Sequence, residues 1–146
     1  MDNRKQKYWI IVASKDHVKK GMAAGIAQAC HGKAAPLNRM RKDDFVVYYS
    51  GKQTLGKPEK CQEFTAIGKV KDDEIYQFQM TENFNPFRRN IDFFECKECS
   101  IIPLINDLEF IINKKSWGYP FRFGFFEIKE KDFNLISSKM LHYEIS

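Results

Sequence analysis

The side chains able to do chemistry are few, and they are unevenly spread. His17 and His31 bracket one stretch, HVKKGMAAGIAQACH, and Cys30 immediately precedes His31. An imidazole that titrates near neutrality can move a proton or hydrogen-bond the edge of a ligand. A thiol needs a base beside it in space to become a nucleophile, and sequence neighbours seldom face each other. His142, near the C-terminus, reads as solvated. Cys96-Lys-Glu-Cys99 has the spacing of half a zinc site, but a structural site needs two more ligands and no second paired motif occurs. Nor does a thioredoxin-type strand–helix context surround that pair. Asp43-Asp44 and Asp72-Asp73 fall in turns, where carboxylates are ordinarily solvated. The glycine-rich phosphate loops, the nucleophile elbow and the HExxH zinc helix are all absent. These residues point to binding without a metal or cofactor rather than to catalysis.

Charge gives the binding partner a sign. The chain carries 24 Lys and Arg against 19 Asp and Glu, a net charge of +5, which suits a polyanion. The cations cluster locally: Lys15, Lys19 and Lys20; Lys33, Arg39, Arg41 and Lys42; Arg88 and Arg89; Lys114, Lys115 and Arg122. Converging on one face, they would form a groove that follows phosphates. Rings supply the other half of such a site. The stretch KSWGYPFRFGFF, residues 115–126, holds six aromatic residues with Arg122 and two glycines between them. Read as a strand over 121–128, it puts Phe121, Phe123 and Phe125 on one face and Arg122, Gly124 and Phe126 on the other. The Phe row then packs a core, while Trp117, Tyr119 and Arg122 line a pocket.

The elements that must hold these groups follow from periodicity. YWIIVAS (8–14) is a continuous apolar run and reads as a central strand. Ser14 caps a short helix over 15–21, and Gly21 and Gly25 argue against its continuation, leaving an irregular crossover to a single helical turn at 36–40. Residues 45–50 form a strand with Phe45, Val47 and Tyr49 on one face and Val46, Tyr48 and Ser50 on the other. EFTAIGKV (63–70), the turn KDDE and IYQFQM (75–80) read as a hairpin, and 88–96 as a further strand. Residues 101–112 read as a helix with Leu104, Ile105, Leu108 and Ile111 on one face, and 131–140 as a closing helix. The expected class is α+β: a strongly curved mixed sheet or small barrel of five or six strands, flanked by short helices. One domain is expected over 1–146, its core at about 7–140. No apolar run reaches the ~20 residues that span a bilayer, and the basic start MDNRKQK precedes no signal region. The expected location is therefore cytoplasmic, with reduced thiols.

Six blocks, YWIIVASKDHV, AQACHGKAAPLNRM, DFVVYYS, CQEFTAIGKV, NPFRRNIDFF and WGYPFRFGFFEI, resemble the EVE domain family in order and spacing. The resemblance covers roughly residues 7 to 140. It implies a PUA-like fold, similar to YTH domains, which read a methylated adenine in RNA through an aromatic cage. It also implies a reader of modified bases, chiefly in DNA, with a restriction or defence protein as a possible partner. The implied base pocket takes Ser14, His17, Gln28 and His31 from the end of the first strand and the crossover. Tyr48, Tyr49, Ser50 and Phe64 would come from neighbouring strands, and Trp117 and Arg122 from the last loop and strand. The crossover GIAQACHGK carries no Trp where YTH domains place a cage ring, so stacking falls to Tyr48, Tyr49, Phe64 or Trp117. Lys15, Lys33, Arg39, Arg88 and Arg89 would hold phosphates. Two other readings attach to the wider PUA-like group: an RNA-binding module, and a small amide hydrolase acting on modified nucleosides, with Lys15, His17, Lys33 or Cys30 as nucleophile or base.

Overall fold

The computed structural model describes residues 5–29 and 32–142. In chain order its strands and α-helices are β1 (Tyr8–Val12), α1 (Lys15–Ala24), β2 (Ile26–Ala27), α2 (Ala34–Arg39), β3 (Phe45–Lys52), β4 (Lys60–Gln77), β5 (Phe87–Phe93), β6 (Cys99–Ser100), β7 (Phe125–Ile128) and α3 (Glu130–Met140). The strands form one mixed sheet in the order β2-β5-β4-β3-β1-β7, with β6 also paired to β4. It has seven strands rather than five or six, and it curls without closing, since β2 and β7 remain as ends.

The centre of the sheet explains the apolar runs. β1 and β3 pair in parallel, Trp9 opposite Val46 and Ile11 opposite Tyr48. Both are covered on both faces, as strands in such a position must be. Ile10, Phe45, Val47 and Tyr49 face one core with Phe64, Phe121 and Phe133. Trp9, Ile11, Val46 and Tyr48 face a second core with Val18, Leu37 and Phe125. Asp44, fully buried, ties the starts of both strands together. Its carboxylate accepts from Lys7 N at 3.0 Å, Arg41 N at 3.0 Å and Trp9 Nε1 at 2.9 Å.

Four elements differ from their sequence reading, each for a local reason. The first helix continues to Ala24 and ends at Gly25, whose φ of 69° lets its N–H close on Gly21 O and Met22 O. Gly21 sits inside the helix because a Cβ there would lie 2.9 Å from Ile26 O. Residues 60–77 are one bent strand rather than a hairpin. Asp72 accepts from Glu74 N at 3.0 Å, a local turn that bulges the chain without reversing it. β5 therefore pairs with both limbs, Gly68 with Phe93 and Gln77 with Phe87. The reversal comes later, where Phe78 N donates to Pro86 O and Met80 N to Phe84 O.

Residues 101–112 form a 3₁₀ turn at Ile102–Leu104 and further turns, not an α-helix. Their backbone groups go elsewhere: Asp132 accepts from Glu109 N and Phe110 N at 2.9 Å, and Lys114 Nζ donates to Ile105 O and Leu108 O. Leu104, Leu108 and Ile111 are nonetheless buried. Finally, Tyr119–Phe123 is a 3₁₀ turn begun at Gly118 and Pro120 and ended by Gly124 at φ 75°, so the strand starts only at Phe125. The expected Phe row is thereby split. Phe121 enters one core, Phe125 stacks on Trp9 at 4.9 Å in the other, and Phe123 is 62% exposed.

Candidate functional site

A constellation forms where the chain leaves β1, beside the crossover and the tip of the β4–β5 hairpin. Ser14 Oγ caps α1 by accepting from His17 N at 3.4 Å. His17 is exposed, yet crowding by its neighbours, then the positive charges of Lys20 and Arg88, hold its imidazole below the usual 6.5. It is thus neutral at pH 7, able to donate from one ring nitrogen and accept at the other. Gln28, just after β2, is buried, and Tyr48 Oη donates to its carbonyl at 3.5 Å. Its amide orientation follows from its neighbours. The oxygen faces Arg88 and accepts from Nε at 2.9 Å and Nη2 at 3.2 Å. Arg88, half-buried on β5, lies 4.1 Å over the ring of Phe78.

The guanidinium is therefore held from two sides, by the Gln28 oxygen and by the Phe78 ring. An arginine held this way is pre-organised for a phosphate or a base acceptor, because little rotamer freedom remains to be lost. Around it stand three apolar side chains in water: Phe78 is 48% exposed, Met80 47% and Phe84 39%. Gly32, at φ 80°, presses the crossover onto this hairpin so closely that a Cβ would lie 2.4 Å from Pro86 Cβ.

The remaining expected site residues are dispersed. Tyr48, Tyr49 and Phe64 are 2%, 3% and 0% exposed, so none offers a ring face to a ligand. Tyr49 stacks on Phe121 at 3.8 Å and meets Phe64 at 5.7 Å, on the side of the sheet away from Tyr48. Ser50 is buried with its hydroxyl 2.8 Å from Thr65 Oγ1. Trp117 is half-buried against the first core. Arg122 lies 5.8 Å over Tyr119. Lys33 is exposed at the start of α2. Arg39 covers the Trp9–Phe125 stack, 5.1 and 5.4 Å from the two rings. Cys30 and His31 lie outside the described residues.

Two expected phosphate ligands are committed elsewhere. Arg89 is 2% exposed and donates to Leu37 O, Met40 O and Asp72 O at 3.0, 2.6 and 2.6 Å. It points to the opposite face of β5 from Arg88, into the floor of an open cleft of about 750 Å³. Burial lowers its pKa, while Asp73, Asp72 and Asp44 counter that effect. The cleft lies at the starts of β1 and β3, and its charges serve the fold: Asp44 holds strand ends, and Asp73 accepts from Lys42 N. Lys15 pairs with Glu98 at 2.6 Å, a hydrogen bond that raises its pKa. An ammonium so held is a poor nucleophile, which removes Lys15 from the hydrolase reading. Cys61 is no better suited, since burial and its hydrogen bond to Glu63 push its thiol up to about 11. Burial also raises Cys96 and Cys99, which are half-buried free thiols.

Comparison with known proteins gives the family and the fold. The family profile described as EVE domain matches residues 7–139. The chain belongs to the EVE domain family. Within it, this EVE domain is 52% identical over 128 residues to the UPF0310 protein in the gntR 5′ region of Bacillus licheniformis, covering 88% of this chain and 87% of that one. It is 45% identical over 133 residues to the UPF0310 protein YdcG of Bacillus subtilis, covering 91% of each. Among solved structures it is similar to Rpa0253 of Rhodopseudomonas palustris, at TM-score 0.54 and 15% identity, covering 91% of this chain and 92% of that one. It is also similar to a hypothetical protein of Leishmania major, at TM-score 0.58 and 9% identity, covering 92% and 94%. At those identities the likeness concerns the fold alone, an α+β architecture. Among the described residues of this EVE domain, no helix is long and apolar enough to cross a membrane.

Phe78 and Met80 were missed by the sequence reading. The signal lay in IYQFQM, where Tyr76, Phe78 and Met80 share a face with glutamines between them. Treated as an ordinary sheet strand, that face reads as buried, and only the late reversal at 81–84 exposes it.

Proposed function

We propose that this EVE domain is a non-enzymatic reader of a modified base in DNA, taking the base between the crossover and the β4–β5 hairpin tip. The observation that carries this reading is Arg88 clamped by Gln28 over Phe78, with Phe78 still half in water. A base stacked on the open side of Phe78 gains about 1–3 kcal/mol. That offsets most of the few kcal/mol needed to unstack it from a duplex. Arg88 meets the adjoining phosphate or a base acceptor. Neutral His17 and the Ser14 hydroxyl hydrogen-bond the base edge. Gln28 acts by positioning Arg88 rather than by touching the base. The net charge of +5 supplies the salt-dependent part of affinity.

Fluorescence anisotropy with matched oligonucleotides tests this. DNA and RNA strands carry 5-methylcytosine, 5-hydroxymethylcytosine, N6-methyladenine or no modification, each at low and moderate salt. Tighter binding of one modified DNA than of its unmodified control supports the reading. A preference for RNA moves it to an RNA-binding module, and equal binding of all strands rejects base reading.

A further inference from the structure

We infer that the turn Tyr119–Phe123 is a second nucleic-acid contact, a stacking platform for unpaired nucleotides that flank the base held at Phe78 and Arg88. This rests on the proposed function. Tyr119 and Phe123 are 57% and 62% exposed, although large rings are ordinarily among the most buried surfaces of a domain. They meet edge to face, with centroids 5.6 Å apart and planes at 87°. Arg122 lies 5.8 Å over the Tyr119 ring. From Phe110 to Phe126 the sequence has Lys114, Lys115 and Arg122 and no Asp or Glu. Lys114 is used internally, on Ile105 O and Leu108 O, which leaves Lys115 and Arg122 as the outward cations. Exposed rings interleaved with cations suit single-stranded nucleic acid, where bases stack on rings and phosphates meet the positive charge.

The platform is rigid and well placed. Gly124 O accepts from Val12 N at 2.9 Å, and Phe121 stacks on Tyr49 at 3.8 Å. The turn is thereby fixed to the end of β1, the same strand end from which Ser14 and His17 follow. A strand whose modified base enters beside Arg88 runs its neighbouring nucleotides past Val12 to Tyr119 and Phe123. Little ordering cost remains on the protein side, because the turn is already held.

The test measures single-stranded DNA octamers with and without a central modified base, on the wild type, the Tyr119→Ala/Phe123→Ala variant and the Tyr119→Leu/Phe123→Leu variant. The platform predicts that both variants lose roughly five- to hundredfold in affinity for every octamer, modified or not. The ratio between modified and unmodified octamers stays as in the wild type. The leucine variant keeps apolar area but no ring, so its loss identifies stacking. Unchanged octamer affinity in the alanine variant overturns the platform and leaves base reading untouched. A ratio of one in the wild type rejects base reading, while the loss in the variants still supports the platform. A change in oligomeric mass without a change in octamer affinity makes the turn a protein interface and overturns the proposal. Failure of the wild type to bind any octamer overturns both.

Discussion

The side-chain oxygen of Gln28 accepts from Nε and Nη2 of Arg88, 2.9 and 3.2 Å away, and so fixes the guanidinium over Phe78. The two residues are 60 positions apart in the chain and meet because β2 pairs with β5, Ala27 opposite Arg89. A two-residue strand thus sets the register on which the candidate site depends. Replacing Gln28 by Ala should leave Arg88 charged but unaimed. We expect nucleic-acid affinity to fall about tenfold, in line with one lost charge-assisted hydrogen-bond pair. The salt slope should stay unchanged, because no phosphate-neutralising charge is removed. Arg88→Gln should instead reduce the slope by about one, which titrations at several salt concentrations read directly.

His17 reports the same geometry from the other side. Crowding by its neighbours, then Lys20, then Arg88 disfavour its cation, so the folded protein binds that proton less readily than the unfolded chain does. Stability linked to His17 therefore falls as pH drops below about 6.5. An NMR titration of the ring should place its midpoint below 6.5 in the wild type. In Arg88→Gln the midpoint should move up part of the way. An unmoved midpoint would separate His17 from Arg88.

Arg89 should behave as a structural residue, in contrast with its neighbour. It is buried and donates to three backbone carbonyls. Arg89→Ala strands those acceptors, and the expected loss is about 3 kcal/mol in urea unfolding. Arg89→Lys recovers little, since an ammonium lacks the planar fork that reaches carbonyls in different directions. Oligonucleotide affinity of the folded fraction should not change in either variant.

Lys15 and Glu98 give the acid side of the stability curve a specific origin. Burial would raise the Glu98 carboxyl, but hydrogen bonding and charge from Lys15, with Lys19 adding to them, outweigh it and hold it below its usual 4.5. The linked stability is present above about 4.5 and is lost as pH falls through the depressed folded value. Glu98→Gln should flatten that limb of the profile. Lys15→Met should do the same, because a lone Glu98 keeps no partner of comparable strength.

Much of this was legible in the sequence, because the central strands are governed by side-chain alternation. The faces of 45–49 follow period two alone, and Leu104, Leu108 and Ile111 point inward even though their segment is not helical. What could not be read was the fate of backbone donors and acceptors. Asp132, 22 residues from Phe110, takes the N–H groups that would have built a helix over 101–112. Asp72 turns a reversal into a bulge and so moves the hairpin tip by about ten residues, which carries Phe78 and Met80 out of the sheet. The candidate site was half legible for the same reason. Ser14, His17, Gln28 and Arg88 lie on or beside regular elements, whereas the exposed rings depend on where one strand chooses to end. Tyr49 and Phe64 were read as pocket rings, but their side of the sheet is sealed by Phe121 and the segment before it.

Trp117 supplies a contrast for the core. It packs half-buried against the first core rather than beside Arg88. Trp117→Ala should therefore cost roughly 1–3 kcal/mol of stability through lost apolar burial, read by denaturant unfolding. Selectivity among modified and unmodified oligonucleotides should be retained.

The most direct test of the central claim is the ratio of affinities for a modified and an unmodified DNA strand, measured by anisotropy at fixed salt for the wild type and for Phe78→Ala. The account predicts a ratio clearly above one for one modification in the wild type. In Phe78→Ala the modified strand should lose about 1–3 kcal/mol of stacking and the ratio should collapse towards one. A wild-type ratio above one that survives unchanged in Phe78→Ala would put the base somewhere other than the hairpin mouth and contradict the account.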